Sequence, residues 1–325
     1  MMKKGLMICI SLLMMVGLVA CNDDTEGMKK VGIIQYAQHP ALDAAHDGFL
    51  EALKDEGFEE GKNITFDDQN AQGEGSNAET IADKLVNDGN DLIYAIATPS
   101  AIAAAQKTSE IPIVISAVTN PEDSKLVKSN KKPGGNVTGV SDLTPVADQI
   151  DLLLKLAPEV KSVAVMYTNA ERNSELQFEI AKKALEAKGV KVEAATVSES
   201  NQVQQVAESL VGKIDAIYVP TDNMVSESIA NVVSVTNEHN MPTVVGEIAM
   251  VEKGALATYG INYYDIGYLA GKQAAKILRG EAEPKDMPIE YSAEDKLEMG
   301  FNETTAKKLG ITIPEELLKN AKIVK

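Results

Sequence analysis

Four pairs of landmarks recur along this chain in one order and at a nearly constant offset. Val31 opens an apolar run and Val163 opens its counterpart 132 residues later. Gly57 and Gly189 each close an amphipathic stretch, again 132 residues apart. Asp91-Leu-Ile-Tyr returns as Asp215-Ala-Ile-Tyr at a spacing of 124, and Ile111-Pro-Ile-Val as Met241-Pro-Thr-Val at 130. Solenoid repeats have periods of roughly 20–50 residues, so an offset this long marks two globular lobes of one design.

Within each half, apolar runs alternate with amphipathic ones. The first half predicts strands at 30–36, 63–67, 91–97, 112–117 and 136–141; the second predicts them at 162–167, 191–197, 215–219 and 242–246. Helices are predicted at 41–55, 76–88, 99–107, 144–156, 173–188, 201–211 and 223–237. This alternation implies an α/β fold with parallel sheets covered on both faces, that is, two Rossmann-like lobes. Open parallel sheets bind ligands beyond the carboxyl ends of their strands. Two such lobes face to face make a cleft, a favoured place for a pocket.

The N-terminus reads as an export signal. Lys3 and Lys4 precede the uncharged apolar run 5–20, and Cys21 follows. That run is short for a membrane span, which needs about 20 apolar residues. Leu18-Val19-Ala20-Cys21 resembles a lipobox, so residues 1–20 are expected to be a signal peptide, Cys21 the lipidated residue, and 21–28 a polar tether. Removing 20 of 325 residues leaves 305, too many for one compact core. The second cysteine, Cys9, leaves with the signal, so no disulfide is expected. Loss of Lys3 and Lys4 takes the net charge from −17 to −19, which disfavours nucleic acid as a partner.

The ordered segments HPALDAAHDGF (39–49), NAQGEGS (70–76), ATPSAIAAA (97–105), IPIVISAVTNPE (111–122) and PGGNVTGVSD (133–142) resemble those of a known family. So do DAIYVPTDN (215–223), GALATYGINYYDIG (254–267) and LGITIPEELLKNA (309–321). The family is that of ABC-importer substrate-binding proteins with the type I periplasmic-binding fold, in the branch associated with tryptophan and other aromatic amino acids. The resemblance spans the whole mature chain. One departure is Asn120, where relatives often carry Asp. The resemblance implies a hinge crossed three times, near 140, 262 and 285. The N-lobe is then expected to hold 29–139 plus 263–285, and the C-lobe 140–262 plus 286–325. Glycines and small residues at 134–139 suit the hinge. It also implies permease and ATPase partners, an amino-acid ligand, no cofactor, no resident metal and no catalysis. The protein is then expected on the outer face of the cell membrane, held by lipidated Cys21.

Several residues are candidates for holding that ligand. Thr98-Pro99-Ser100 follows a strand and opens a helix. Alone this is a capping motif; with the resemblance it is a site for a carboxylate at a helix N-terminus. Thr221-Asp222 holds the matching position of the second half, where Asp222 either caps the helix or accepts from a ligand ammonium. Tyr36 and His39 lie in the loop after the first strand, and Tyr36 suits ring stacking. Tyr167 ends the matching strand and is either the opposite aromatic wall or sheet-edge packing. Glu247 and Tyr259 lie near later strand ends, and Thr119, Asn120 and Ser141 are polar and similarly placed, with turn chemistry as their alternative.

Other readings have less support. Gly73-Glu-Gly-Ser-Asn-Ala78 matches a dinucleotide fingerprint in form, but Glu74 puts an acid in the phosphate loop. His39, Asp43 and His46 have metal-ligand spacing, but Pro40 puts His39 outside the helix. No nucleophile elbow or H-E-x-x-H motif is present. A sensory or metal-capturing lipoprotein, or a sugar- or nucleoside-binding protein of the same fold, remains the alternative.

Overall fold

In the computed structural model, which describes residues 27–325, two sheets form two lobes. Residues 1–26, with the expected signal and Cys21, lie outside the described region. The first lobe contains β1 (Lys29–Gln35), α1 (Pro40–Asp55), β2 (Ile64–Asn70), α2 (Gly75–Asn87), β3 (Leu92–Ile96), α3 (Thr98–Lys107), β4 (Ile113–Val118) and β5 (Val137–Ser141). The second begins with α4 (Val146–Leu156), β6 (Ser162–Thr168), α5 (Arg172–Ala187), β7 (Lys191–Val197), α6 (Val203–Leu210) and β8 (Ala216–Val219). It continues with α7 (Asn223–Glu227), α8 (Ile229–Glu238), β9 (Thr243–Val245), α9 (Ile248–Glu252) and β10 (Ala257–Gly260). The chain then runs through α10 (Tyr263–Leu278), β11 (Glu290–Tyr291), β12 (Glu298–Asn302), α11 (Glu303–Lys308), α12 (Glu315–Leu318) and β13 (Lys322–Val324).

The first sheet has the order β11-β5-β4-β3-β1-β2, and the second β13-β12-β10-β9-β8-β6-β7. All pairs are parallel except β10 with β12. The central strands β3, β4, β5 and β8 are wholly buried apolar runs, as two covered faces require. Every strand predicted from the apolar runs is present. The helix predicted over 223–237 is broken at Ser228 into α7 and α8.

The chain leaves the first sheet after Ser141 and returns between β10 and α10, which packs on α1. The last crossing differs from expectation. β11 pairs with β5, and Ile289 lies in the first lobe's core, so the chain stays with that lobe through Tyr291 and crosses over 292–297, not near 285. The glycine hinge is also revised. Gly139 lies inside β5 at φ +143°, where a Cβ would overlap the Ile115 backbone. It serves close strand packing, and the first crossing falls on 142–145 instead.

Helices α1 and α10 meet backbone to backbone. A Cβ on Gly48 would overlap the Tyr264 carbonyl oxygen, and one on Gly267 the Ala45 carbonyl oxygen. Gly271 approaches Phe49 in the same way. This contact joins the helix that starts beside His39 to the helix that starts at the second crossing.

Candidate ligand-binding site

The carboxyl ends of the two sheets enclose a tight cavity of about 10 Å³, room for little more than one small polar group. The first lobe and the crossings contribute His39, Leu42, Ala117, Asp142 and Tyr263; the second lobe contributes Asn173, Thr221, Asn223, Ser226 and Glu247. Leu42 and Ala117 are the only apolar side chains of this lining. Ala117 and Ala97, at the ends of neighbouring strands, both hold positive φ (55° and 80°). Such strain in a non-glycine residue costs about 1–3 kcal/mol and concentrates at functional sites.

The lobes are closed on each other. His39 Nε2 lies 3.2 Å from Asn223 Oδ1 across the cleft. Asn223 turns its Nδ2 to Glu171 Oε2 at 2.5 Å, so its Oδ1 accepts and His39 Nε2 donates. Farther out, Arg172 donates to Asp123 of the first lobe, from Nη2 to Oδ1 at 3.2 Å, with Nε 3.0 Å from Oδ2. Tyr263 OH donates to Asp142 Oδ2 at 2.8 Å.

With His39 Nε2 as donor, its Nδ1 is an acceptor, and it has no partner within the described residues. The same is true of Asp142 Oδ1, Asn173 Oδ1 and Glu247 Oε2. All four belong to side chains that line the cavity. Buried polar atoms are nearly always paired, so four unpaired acceptors around one small space define a demand for donors. No Lys or Arg lines the cavity to meet it. Burial raises Glu247 to about 8, with the Asp142 and Glu252 charges adding to it. Burial likewise raises Asp142, against hydrogen bonds from Tyr263 and Thr119. Glu171 is raised to about 8 by burial and then by Asp222. Burial lowers His39 to about 4. The 4.0 Å approach of His39 Nδ1 to Glu247 Oε1 is therefore not an ion pair at neutral pH.

Donors for an anion sit on the first lobe. The start of α3 lies between the ends of β1 and β4, because β3 is their shared neighbour. There Thr98 Oγ1 and Ser100 Oγ are buried without hydrogen-bond partners. Thr98 also lines an adjoining groove with Gly75 and Arg172.

Of the residues singled out from sequence, His39, Thr221 and Glu247 line the cavity, and Thr98 and Ser100 lie at the α3 start. Thr221 is held by Gln177, whose Nε2 donates to its Oγ1 at 2.7 Å. Thr119 is buried beside Asp142. The others have different employment. Asp222 Oδ1 accepts from Val225 N at 2.8 Å, and its Oδ2 from Thr168 N and Ser174 Oγ, both at 2.7 Å. Both oxygens already accept from the protein, so the capping alternative is what the structure shows, and three protein donors leave Asp222 little capacity for an ammonium. Tyr167 stacks on Phe178 of its own lobe, with centroids 5.0 Å apart, and is no opposite wall. Tyr36 lines a separate outer groove with Gly73, Glu74 and Met224. Tyr259 packs in the second core, Asn120 caps the turn at Glu122 and Asp123, and Ser141 Oγ donates to the Thr119 carbonyl. His39, Asp43 and His46 diverge, to Asn223, Gln35 and Asp68 respectively.

Sequence reading missed Asp142, Asn173, Asn223, Ser226, Tyr263 and the supporting Glu171. The repeat held a usable signal. The offset of 132 that pairs Val31 with Val163 also pairs His39 with Glu171, and the offset of 130 pairs Ala117 with Glu247.

The family described as ABC transporter substrate binding protein matches residues 30–325. The tyrosine-binding protein of Clostridioides difficile is 42% identical over 286 residues, which cover 88% of this chain and 82% of that protein. An ABC domain from Streptococcus pneumoniae in complex with L-Trp superposes at a TM-score of 0.88 with 37% identity, covering 92% of this chain and 100% of the other. The ligand-free, open structure of a substrate-binding protein with adhesive properties from Clostridium difficile is 45% identical and covers 92% and 99%, yet superposes at only 0.70. The lobes here are thus disposed more nearly as in the L-Trp complex than as in the ligand-free, open structure.

Proposed function

Since this chain belongs to the family of ABC transporter substrate-binding proteins, we propose that it captures one free aromatic amino acid between its lobes and delivers it to a permease and ATPase. The observation that carries the ligand class is the set of four unpaired acceptors, on His39, Asp142, Asn173 and Glu247. An α-ammonium brings three N–H donors and the positive charge that two buried carboxyls lack. The α-carboxylate goes to the α3 start, where Thr98, Ser100 and the helix dipole favour an anion. A ligand that bridges both lobes favours the closed state over the open one. The names of the similar proteins, one for tyrosine and one with bound L-Trp, support the aromatic class.

Calorimetry on ligand-stripped protein is expected to give micromolar or tighter binding of Tyr, Trp or Phe and weak binding of Gly and Ala, because a ring adds buried area worth about 25 cal/mol per Å². Sugars and nucleosides carry hydroxyls but no ammonium and are expected to give no heat. Heat from a pentose or nucleoside, with none from the three aromatic amino acids, would overturn the proposal.

The proposal includes an anchor on the outer face of the membrane. Lys3, Lys4, the apolar run 5–20 and the segment Leu18-Val-Ala-Cys21 support lipidation at Cys21. Cys21→Ser is expected to abolish incorporation of labelled lipid while the melting curve of the lobes is unchanged. Label retained in the variant would refute the assignment.

A further inference from the structure

The cavity that suits the charged end of an amino acid offers little to an aromatic ring, since only Leu42 and Ala117 are apolar there. An open groove of about 240 Å³ adjoins it on one flank. His39, Ser226 and Glu247 are walls of both spaces, so the two abut across these three side chains. Beyond these three the wall turns apolar, with Pro40 of α1 on one side and Ile229, Ala230, Ala249 and Met250 of α8 and α9 on the other. Ile229 and Met250 are buried and form the floor; Pro40 and Ala230 are exposed lips. The Met250 thioether is held by Ser226, whose Oγ donates to Sδ at 3.5 Å. A fixed thioether is a favourable neighbour for a ring edge. A second outer groove meets the first at Glu227 but differs: it has no wall residue in common with the cavity, and Glu74 and Glu199 line it as well.

We propose that the Pro40–Met250 groove is the side-chain subsite, and that it selects large apolar and aromatic side chains over small ones. This rests on the amino-acid reading above. Gln38, Glu227 and Lys253 form a polar rim where the groove meets solvent. A ring seated there points its far end outward, so the substrate class is free amino acids with aromatic side chains, para-extended ones included. The charged end is enclosed, so an acylated α-amine is excluded.

Two experiments test this. Ala230→Trp fills the groove from an exposed lip. It is expected to weaken tyrosine and tryptophan binding at least about tenfold, because the ring loses its buried area. Ser200→Trp fills the second outer groove and is expected to leave affinity within about twofold, since that groove shares no wall with the cavity. The second experiment needs no variant: wild-type protein is expected to bind O-methyltyrosine nearly as well as tyrosine, and N-acetyltyrosine not measurably. Unchanged affinity in Ala230→Trp, loss in Ser200→Trp instead, or rejection of O-methyltyrosine would overturn the subsite while tyrosine binding by the wild type left the amino-acid reading intact. Absence of any aromatic amino-acid binding by the wild type would overturn both.

Discussion

Glu247→Gln is expected to weaken binding of tyrosine or tryptophan by about 2–5 kcal/mol, roughly 30-fold to several thousand-fold. The variant removes one of the two carboxyls that face the ligand ammonium and leaves Asp142 as the remaining one. Its fold is expected to be intact, because burial already keeps Glu247 protonated up to about pH 8, and a protonated Glu has nearly the shape of Gln. Wild-type affinity is expected to rise between pH 5 and pH 8, with proton release on binding, since Glu247 must ionise to pair with the ligand. The Gln variant is expected to lose most of this rise. Stability without ligand runs the other way. Glu247 and Glu171 have folded values raised to about 8, so their stabilisation is full below pH 4.5 and is lost as pH rises through 8. His39 is lowered to about 4, so its contribution is present above pH 6.5 and lost as pH falls through 4. The melting temperature of ligand-free protein is therefore expected to fall from pH 6.5 to pH 8. Calorimetry and melting across this range check both signs. A pH-independent affinity, or full affinity in Glu247→Gln, would remove Glu247 from the ammonium site.

Asp222→Ala is expected to lower stability by about 3 kcal/mol or more while intrinsic affinity stays within about threefold. The substitution strands three buried donors, Val225 N, Thr168 N and Ser174 Oγ, each at about 1–3 kcal/mol. Asp222→Asn is expected to fall between wild type and Ala, because one face of the amide still accepts while the other presents N–H groups to donors. Denaturant midpoints and calorimetry on the three proteins separate the two roles. A tenfold loss of affinity at unchanged stability would return the ammonium to Asp222.

These two residues also show what was legible in the sequence. Runs such as 91–97 and 215–219 announced buried parallel strands, and the repeat announced two lobes with their strand ends opposed. β11 and β12 were not legible. The first is two exposed residues, and the second, EMGFN, alternates over only five residues with two apolar side chains, Met299 and Phe301. Their pairing with β5 and β10 is a long-range matter, and it moves the last crossing. Within the site, strand-end positions were readable but spare bonding capacity was not. Asp222 and Glu247 both follow a strand and precede a short helix. Thr168 and Ser174, on other elements, use up the one, while nothing in the described residues takes Glu247 Oε2. The repeat extends past the strands into the loops, where it pairs Glu171 with His39 and gives Glu247, already a candidate, Ala117 as its counterpart.

The glycine contact between α1 and α10 makes the two lobes unequal material for anyone rebuilding this protein as a biosensor. Gly48, Gly267 and Gly271 weld the helix that begins beside His39 to the one that begins at Tyr263. Those two cavity-lining side chains are therefore cast in one piece with the segment where the chain returns to the first lobe. Exchanging either perturbs recognition and swing together. Asn173, Ser226, Ile229 and Met250 sit across the cleft on elements free of that weld, so new specificity is best installed there, with the first lobe kept as a common chassis.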